Sequence, residues 1–98
     1  MKKAIIVTFS LLSVLLAQSM TIEGIVKDKK TQKNLIGANV FIVGTSIGAS
    51  TNTEGKYILK NIKLGSYKVK ASYIGYQAVE IDIDLTSSEN ITQDFELS

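Results

Sequence analysis

The chain has 98 residues, of which 45% are hydrophobic and 20% are charged, and its formal net charge is +2. This length allows one domain and excludes most multidomain enzymes and any large membrane barrel, which needs many strands of about 10 residues. The sequence contains no cysteine and no histidine. Disulfides, thiolate nucleophiles and cysteine metal sites are therefore excluded, and the commonest general base and zinc ligand are missing.

Residues 1–19 have the three-part layout of a secretory signal peptide. Lys2 and Lys3 form a positive n-region, and a mostly apolar run follows over residues 4–16. This run of about 13 positions is too short to span a bilayer, which takes roughly 20. An uncleaved anchor or a buried core helix are the alternatives. The sequence predicts a signal peptide and no membrane insertion of the mature chain, because no second apolar stretch follows.

The cleavage position is predicted from the small residues that end the leader. Ser19 and Ala17 stand at the −1 and −3 positions relative to Met20, so we expect cleavage after Ser19. Cleavage after Ala17 is a close alternative. The sequence therefore divides into a signal peptide over residues 1–19 and one domain over residues 20–98.

The mature domain is neutral by count, because nine lysines remain after the leader to face nine acids. Composition therefore offers no basic field of the kind that nucleic acid or an anionic membrane surface attracts. All 11 basic residues are lysines, which argues against phosphate recognition by the arginine fork. Four lysines lie close together, and we interpret them as a solvated turn: Lys27, Lys29, Lys30 and Lys33.

After the leader the chain is a series of short strands separated by turn residues. Clusters of glycine, asparagine, serine and threonine predict turns over residues 44–48 and 52–55. Apolar and polar residues alternate in the last three segments, which is typical of half-buried antiparallel strands. The predicted strands cover residues 21–28, 38–43, 49–51, 57–60, 67–73, 78–85 and 90–97.

Each of the seven strands has one polar, solvent-exposed face and must bury its apolar face against a second sheet. The sequence therefore predicts an all-β fold, a small seven-stranded antiparallel β-sandwich. We expect the four tyrosines to pack in the core or at its rim with their hydroxyls at the edge. The predicted core consists of nine apolar side chains: Ile22, Val26, Val40, Ile42, Leu59, Val69, Ile81, Ile83 and Phe95.

A series of glycine-centred elements runs through the mature chain. They are Ile22-x-Gly24-x-Val26-x-Asp28, Leu35-x-Gly37-Ala38-x-Val40, Gly44-Thr45 with Gly48, Thr51-Asn52-x-x-Gly55-x-Tyr57, Gly65-x-Tyr67 and Ile74-Gly75-Tyr76. In order and spacing this series resembles the carboxypeptidase regulatory-like domain, a transthyretin-like (prealbumin-like) β-sandwich. Asn34 stands where the family often has proline, and the turn that ends at Gly55 lacks the family's usual aspartate. The residues at both of these positions are still compatible with a turn.

The resemblance implies an exported, non-catalytic accessory or interaction domain. Such domains stand beside metallocarboxypeptidases and between the signal peptide and the plug of TonB-dependent outer-membrane receptors, especially SusC-like ones. The lysine n-region and the Ile74-Gly75-Tyr76 element are most similar to that receptor extension. We therefore expect a periplasmic or outer-membrane-associated domain with an unidentified protein partner, either part of a longer receptor or alone.

No catalytic, cofactor-binding or metal site is predicted, and we expect the chain not to be an enzyme. Without histidine and cysteine, neither a zinc carboxypeptidase site nor a Ser-His-Asp triad can be built. Glu80, Asp82 and Asp84 share one face of a predicted strand. We interpret them as a solvated acidic face, and a loose calcium site is the alternative.

A surface adhesin or stalk module is the alternative function. Collagen-adhesin B-type repeats, which are similar in shape, often carry a Lys–Asn cross-link. Lys27 is out of phase with the buried face of its strand and Asn90 lies at a turn, so we expect no such bond. A transthyretin-like ligand binder would need a dimer-centred pocket that nothing in the sequence specifies. We predict contacts through an exposed sheet edge or through the loops over residues 44–48 and 52–55.

Overall fold

The computed structural model describes residues 19–86 and 90–98, which form two packed β-sheets. In the first sheet β1 is central, with β4 on one side and β7 and β8 on the other, and the second sheet has the order β3-β2-β5-β6. The strands are β1 (Met20–Asp28), β2 (Asn39–Ile42), β3 (Gly48–Ser50), β4 (Lys56–Ile62), β5 (Gly65–Ser72), β6 (Val79–Leu85), β7 (Ile91–Thr92) and β8 (Phe95–Leu97). The predicted all-β sandwich is confirmed.

The signal peptide predicted over residues 1–19 lies, apart from Ser19, outside the described residues. Within the part of the chain that the structure describes, no helix has the length and apolar character needed to cross a membrane. Met20, the first residue after the expected cleavage, begins β1 and is buried opposite Ile62 of β4. The sandwich therefore starts directly after the predicted leader.

The last predicted strand, over residues 90–97, differs from expectation in number and direction. It forms two short strands, β7 and β8, and both run parallel to β1, whereas antiparallel pairing was predicted. Alternation of apolar and polar residues reports which face is buried and carries no information on the direction of a neighbouring strand. The chain leaves β6 at the end of the sandwich where β1 begins, so the returning segment runs in the direction of β1.

Eight of the nine predicted core residues are buried. Ile81 is only half-buried, because β6 is an edge strand of the second sheet and its core-facing side is incompletely covered. Tyr57 is buried, in keeping with the expectation for the tyrosines. The core also contains seven apolar side chains that the sequence analysis did not assign to it: Met20, Leu35, Ala38, Ile62, Ala71, Leu85 and Leu97.

Strand β4 is longer than predicted, because a β-bulge restores its alternation of buried and exposed side chains. Leu59 and Ile62 are both buried although three positions separate them, which a regular strand does not allow. Asn61 takes up the extra residue at a φ of 60°, and the register with β1 shifts between Met20 and Ile22. The bulge turns Ile62 into the core and interrupts pairing on this edge strand.

The segment Gln93–Asp94 joins β7 to β8 and crosses over Gly24 of β1. This close approach is possible because Gly24 has no side chain. A Cβ on Gly24 would lie 2.0 Å from the carbonyl oxygen of Gln93. Tyr57, opposite Gly24 on β4, donates its hydroxyl to that same carbonyl. The Ile25 amide donates to Asp94 Oδ1 at 2.8 Å. The Asp94 carboxylate thus takes the place of the backbone carbonyl that would accept this bond in a regular sheet.

Candidate interaction surface at the lysine-rich end

Three segments meet at one end of the sandwich, which we call the lysine-rich end. They are the loop over residues 29–33 after β1, the turn over residues 73–78 between β5 and β6, and Ser98. The Lys29 amide donates to the Leu97 carbonyl and the Gln77 amide donates to the Ser98 carbonyl, each at 2.8 Å. Backbone bonds thus hold the loop, the turn and the end of β8 together.

Asp28 connects the loop to the turn. Its Oδ1 accepts hydrogen bonds from the amides of Lys30 at 2.8 Å and Thr31 at 2.9 Å, and its Oδ2 accepts one from the Tyr76 hydroxyl at 2.6 Å. The Tyr76 hydroxyl and the loop amides hold the pKa of Asp28 below its ordinary value. The same bond to Asp28 raises the pKa of Tyr76.

The Asp28–Tyr76 bond predicts a pH dependence of the free energy of unfolding. The pKa of Asp28 is lowered below 3.8 in the folded chain, so its stabilisation is complete above that value and is lost as the pH falls through the folded pKa. Tyr76→Phe should therefore be less stable than the wild type at pH 7, with the difference shrinking towards pH 2. Urea unfolding at a series of pH values measures it.

Tyr67→Phe is the matched control for that experiment. The Tyr67 hydroxyl donates to the Lys63 carbonyl at 2.7 Å and to no carboxylate within residues 19–86 and 90–98, so its contribution should not change between pH 7 and pH 2. A Tyr76→Phe difference that stays constant over this range would contradict the coupling. Above pH 10 the free energy of unfolding of the wild type should fall, since the raised pKa values of Tyr57 and Tyr76 stabilise the folded state only while both are protonated.

The turn between β5 and β6 exposes one apolar side chain almost completely. The Tyr76 amide donates to the Tyr73 carbonyl at 3.1 Å, and Gly75 has a φ of 87°, which its position in this turn requires. The rings of Tyr73 and Tyr76 pack at 5.7 Å. Ile74, at the tip, is 95% exposed. The turn is fixed at its base, and its most apolar residue faces solvent.

The charges at this end are mainly positive. Lys29, Lys30 and Lys33 are exposed, and neither ion pair found in residues 19–86 and 90–98 involves them. The nearby acids Asp28 and Glu96 keep their negative charge while they accept hydrogen bonds from Tyr76, the loop amides and Gln32 Nε2, so three exposed lysines face two carboxylates. A chain that is neutral overall therefore has a local cationic surface here.

The acidic residues predicted on one face of β6 are exposed, as expected, but β5 lies beside them with lysines. Lys70 Nζ lies 3.9 Å from Glu80, and Lys68 is the register partner of Asp82. Asp84 accepts from the Ser66 hydroxyl at 2.8 Å. Cross-strand lysines offset the charge that would attract a cation. Among the described residues, no three acidic side chains form a group that could hold a metal ion.

The two loops predicted to make contacts lie at opposite ends of β3. The loop over residues 44–48 closes the β2–β3 hairpin, whereas the turn over residues 52–55 follows the open end of that hairpin. Asn52 Oδ1 accepts from the amides of Glu54 and Lys56, so this turn has the chemistry the sequence predicted. The loops are separated by the length of β3, and their role in contacts stays a prediction.

The register of β1 also separates the residues of a possible cross-link. Lys27 lies opposite Glu96, and Ile22 lies opposite Ile91, which follows Asn90. Six strand positions therefore separate Lys27 from Asn90, a distance of about 20 Å. A Lys–Asn bond between these two residues is not possible in this fold.

A groove that the sequence analysis missed lies on the outer face of the first sheet. Its volume is about 360 Å³. It is lined by residues of three strands and of the Gln93–Asp94 crossing, chiefly Glu23, Ile25, Lys56, Ile58, Thr92 and Asp94. No sequence signal marks it, because the groove exists only once β7 pairs with β1.

The fold defines the protein as a small β-sandwich domain, a class shared with several solved structures. One is a type II cohesin–X–dockerin complex from Acetivibrio cellulolyticus, at 26% identity and a TM-score of 0.64, covering 74% of this chain and 51% of that chain. Another is a putative carbohydrate binding protein from Bacteroides uniformis, at 18% identity and a TM-score of 0.58, covering 80% and 40%. The major pilin subunit of Bacillus cereus, BcpA, has 16% identity and a TM-score of 0.57, covering 83% and 31%. The last two likenesses show the fold alone.

Residues 22–98 match the CarboxypepD_reg-like domain, and the chain belongs to that family. Domains of this family are typically non-catalytic. The chain is also similar to the TonB-dependent receptor SusC of Bacteroides thetaiotaomicron, with 38% identity over 81 residues. The match covers 83% of this chain and 8% of the receptor, so the chain spans a small fraction of that relative. The predicted family resemblance is confirmed.

Proposed function

We propose that this domain is a non-catalytic accessory module of a TonB-dependent receptor, held on the periplasmic side of the outer membrane. The observation that carries the proposal is the 38% identity with the receptor SusC over 81 residues, which is 83% of this chain. The predicted signal peptide adds an export route. The domain itself transports nothing, and its role is to contact another protein.

The directions of the first and last strands support an in-line module. β1 and β8 run parallel, so Met20 and Ser98 lie at opposite ends of the sandwich. Nine strand residues separate these ends by about 26 Å. A chain that enters at one end and leaves at the other suits a domain placed in series within a longer receptor.

The chemistry of the chain supports a contact role over catalysis. The sequence lacks histidine and cysteine, which supply most nucleophile–base pairs and zinc sites. The exposed acids of β6 lie beside lysines or a serine hydroxyl of β5. The domain offers surfaces rather than a reactive group.

Protease accessibility in the source bacterium tests the proposal. An antibody against the domain should detect a protein of receptor size in the outer-membrane fraction. That epitope should survive protease added to intact cells and should be lost once the outer membrane is permeabilised. Digestion in intact cells would instead place the domain on the cell surface and would favour the adhesin or stalk module.

A further inference from the structure

We propose that the lysine-rich end is the contact surface of the domain, and that it binds an acidic protein segment carrying an apolar side chain that packs against Ile74. The proposal rests on the accessory role proposed above and names the surface and the chemistry of the partner. It combines one exposed apolar residue with three exposed lysines.

Ile74 has the properties of an interface residue. It is 95% exposed, although the domain buries other isoleucines completely. Its turn is closed by the Tyr76–Tyr73 backbone bond and held by the Tyr76–Asp28 bond at 2.6 Å. Because the turn is already ordered, little conformational entropy is lost when a partner covers it. The adjoining, half-buried rings of Tyr73 and Tyr76 extend the apolar area.

The neighbouring charges determine which sign of charge the partner must carry. Lys29, Lys30 and Lys33 lie on the loop that Asp28 ties to the Ile74 turn. Asp28 and Glu96 keep their charge at this end, but the three lysines outnumber them. Lysines at the rim of an apolar contact favour an acidic partner and accelerate its association.

A protein segment fits this surface better than a lipid bilayer does. Ile74 offers one short side chain, with far fewer carbons than a myristoyl chain, which alone gives only marginal membrane binding. A protein pocket can cover Ile74 and the tyrosine edges together while its carboxylates reach the lysines. The outer-face groove, with Glu23 and Asp94 around Ile58, has related chemistry, so a second copy of this chain is the competing occupant to be tested.

A peptide-display selection on the chain, expressed with its leader and purified from the periplasm, tests the chemistry directly. Enriched peptides should combine net negative charge with a large apolar residue. Binding of the best synthetic peptide, measured by fluorescence anisotropy, should weaken at least tenfold for Ile74→Asp and for the Lys29→Glu/Lys30→Glu double variant. It should also weaken as salt increases from 0.1 M to 0.5 M, because salt screens exposed charges.

Leu64→Asp is the matched control, since Leu64 is 49% exposed in the turn between β4 and β5 at the other end of the sandwich, and its replacement should leave the affinity unchanged. The melting temperature of Ile74→Asp should equal that of the wild type. Enrichment of neutral or basic peptides, or equal binding by Ile74→Asp, would overturn the proposal.

Two further measurements distinguish the acidic protein segment from the two other candidate occupants, a membrane and a second copy of this chain. Ile74-dependent sedimentation with phosphatidylglycerol vesicles would overturn the protein partner in favour of a membrane. An Ile74-dependent dimer in light scattering would overturn it in favour of a second copy. Protection from protease in intact cells without peptide binding removes this inference alone, whereas peptide binding by a surface-exposed domain removes only the proposed location.

Discussion

Gly24→Ala is expected to lower the free energy of unfolding by about 3 kcal/mol or more. The new Cβ would lie 2.0 Å from the Gln93 oxygen and 2.6 Å from the Gln93 carbon, which are both backbone atoms. Relief requires the crossing between β7 and β8 to move away from β1. That movement strains the bonds that Tyr57 and Ile25 make to the crossing.

Gly44→Ala is the matched control for this prediction. Gly44 has a φ of 82° and no atom within 4 Å of its Cβ position, so alanine there meets backbone strain but no clash. Its cost should be about 1–2 kcal/mol. Urea unfolding followed by circular dichroism compares the two variants. If Gly24→Ala is no less stable than Gly44→Ala, the crossing does not depend on the missing side chain.

Thr51→Val is expected to cost about 3 kcal/mol, because it leaves two buried backbone groups without partners. The Thr51 hydroxyl donates to the Leu35 carbonyl at 2.6 Å and accepts from the Ala38 amide at 2.9 Å. Thr51 is 5% exposed, so water does not replace the hydroxyl. Valine has nearly the same shape, which isolates the two hydrogen bonds.

Thr51→Ser separates the hydroxyl from the methyl group. Serine keeps both hydrogen bonds to the segment over residues 35–38 and loses one buried methyl, worth about 1 kcal/mol. Equilibrium unfolding in urea should therefore rank the wild type above Thr51→Ser and Thr51→Ser above Thr51→Val. A serine variant as unstable as the valine variant would show that packing, and not hydrogen bonding, makes Thr51 important.

Much of the fold could be predicted from local pattern. The alternation of apolar and polar residues in the last three segments predicted half-buried strands, and Val69, which was assigned to the core, is buried. The Asn52–Gly55 turn was predicted from residue types that tolerate or stabilise its backbone. These features depend on neighbours within a few residues along the chain, so the sequence carries them directly.

The candidate surface could not be predicted in the same way. The four lysines over residues 27–33 suggested only a solvated turn, and Ile74-Gly75-Tyr76 was used only as an element of the family resemblance. Their relation depends on Asp28 and Tyr76, which are 48 positions apart in sequence and 2.6 Å apart in the structure. The strand register and the sheet packing that bring these two residues together cannot be predicted from either segment alone.

The sequence by itself determined a neutral β-domain behind a predicted leader whose lysines account for the net charge of +2, since composition and period-two alternation are local properties. The absence of histidine and cysteine, also local, argues against catalysis. Only the tertiary structure decided that the last segment runs parallel to β1, that Gly24 makes room for it, and that Asp28 and Tyr76 connect the Ile74 turn to the lysine loop. Those facts arise from contacts between distant residues, where loop closure and core packing select one arrangement among many with the same pattern.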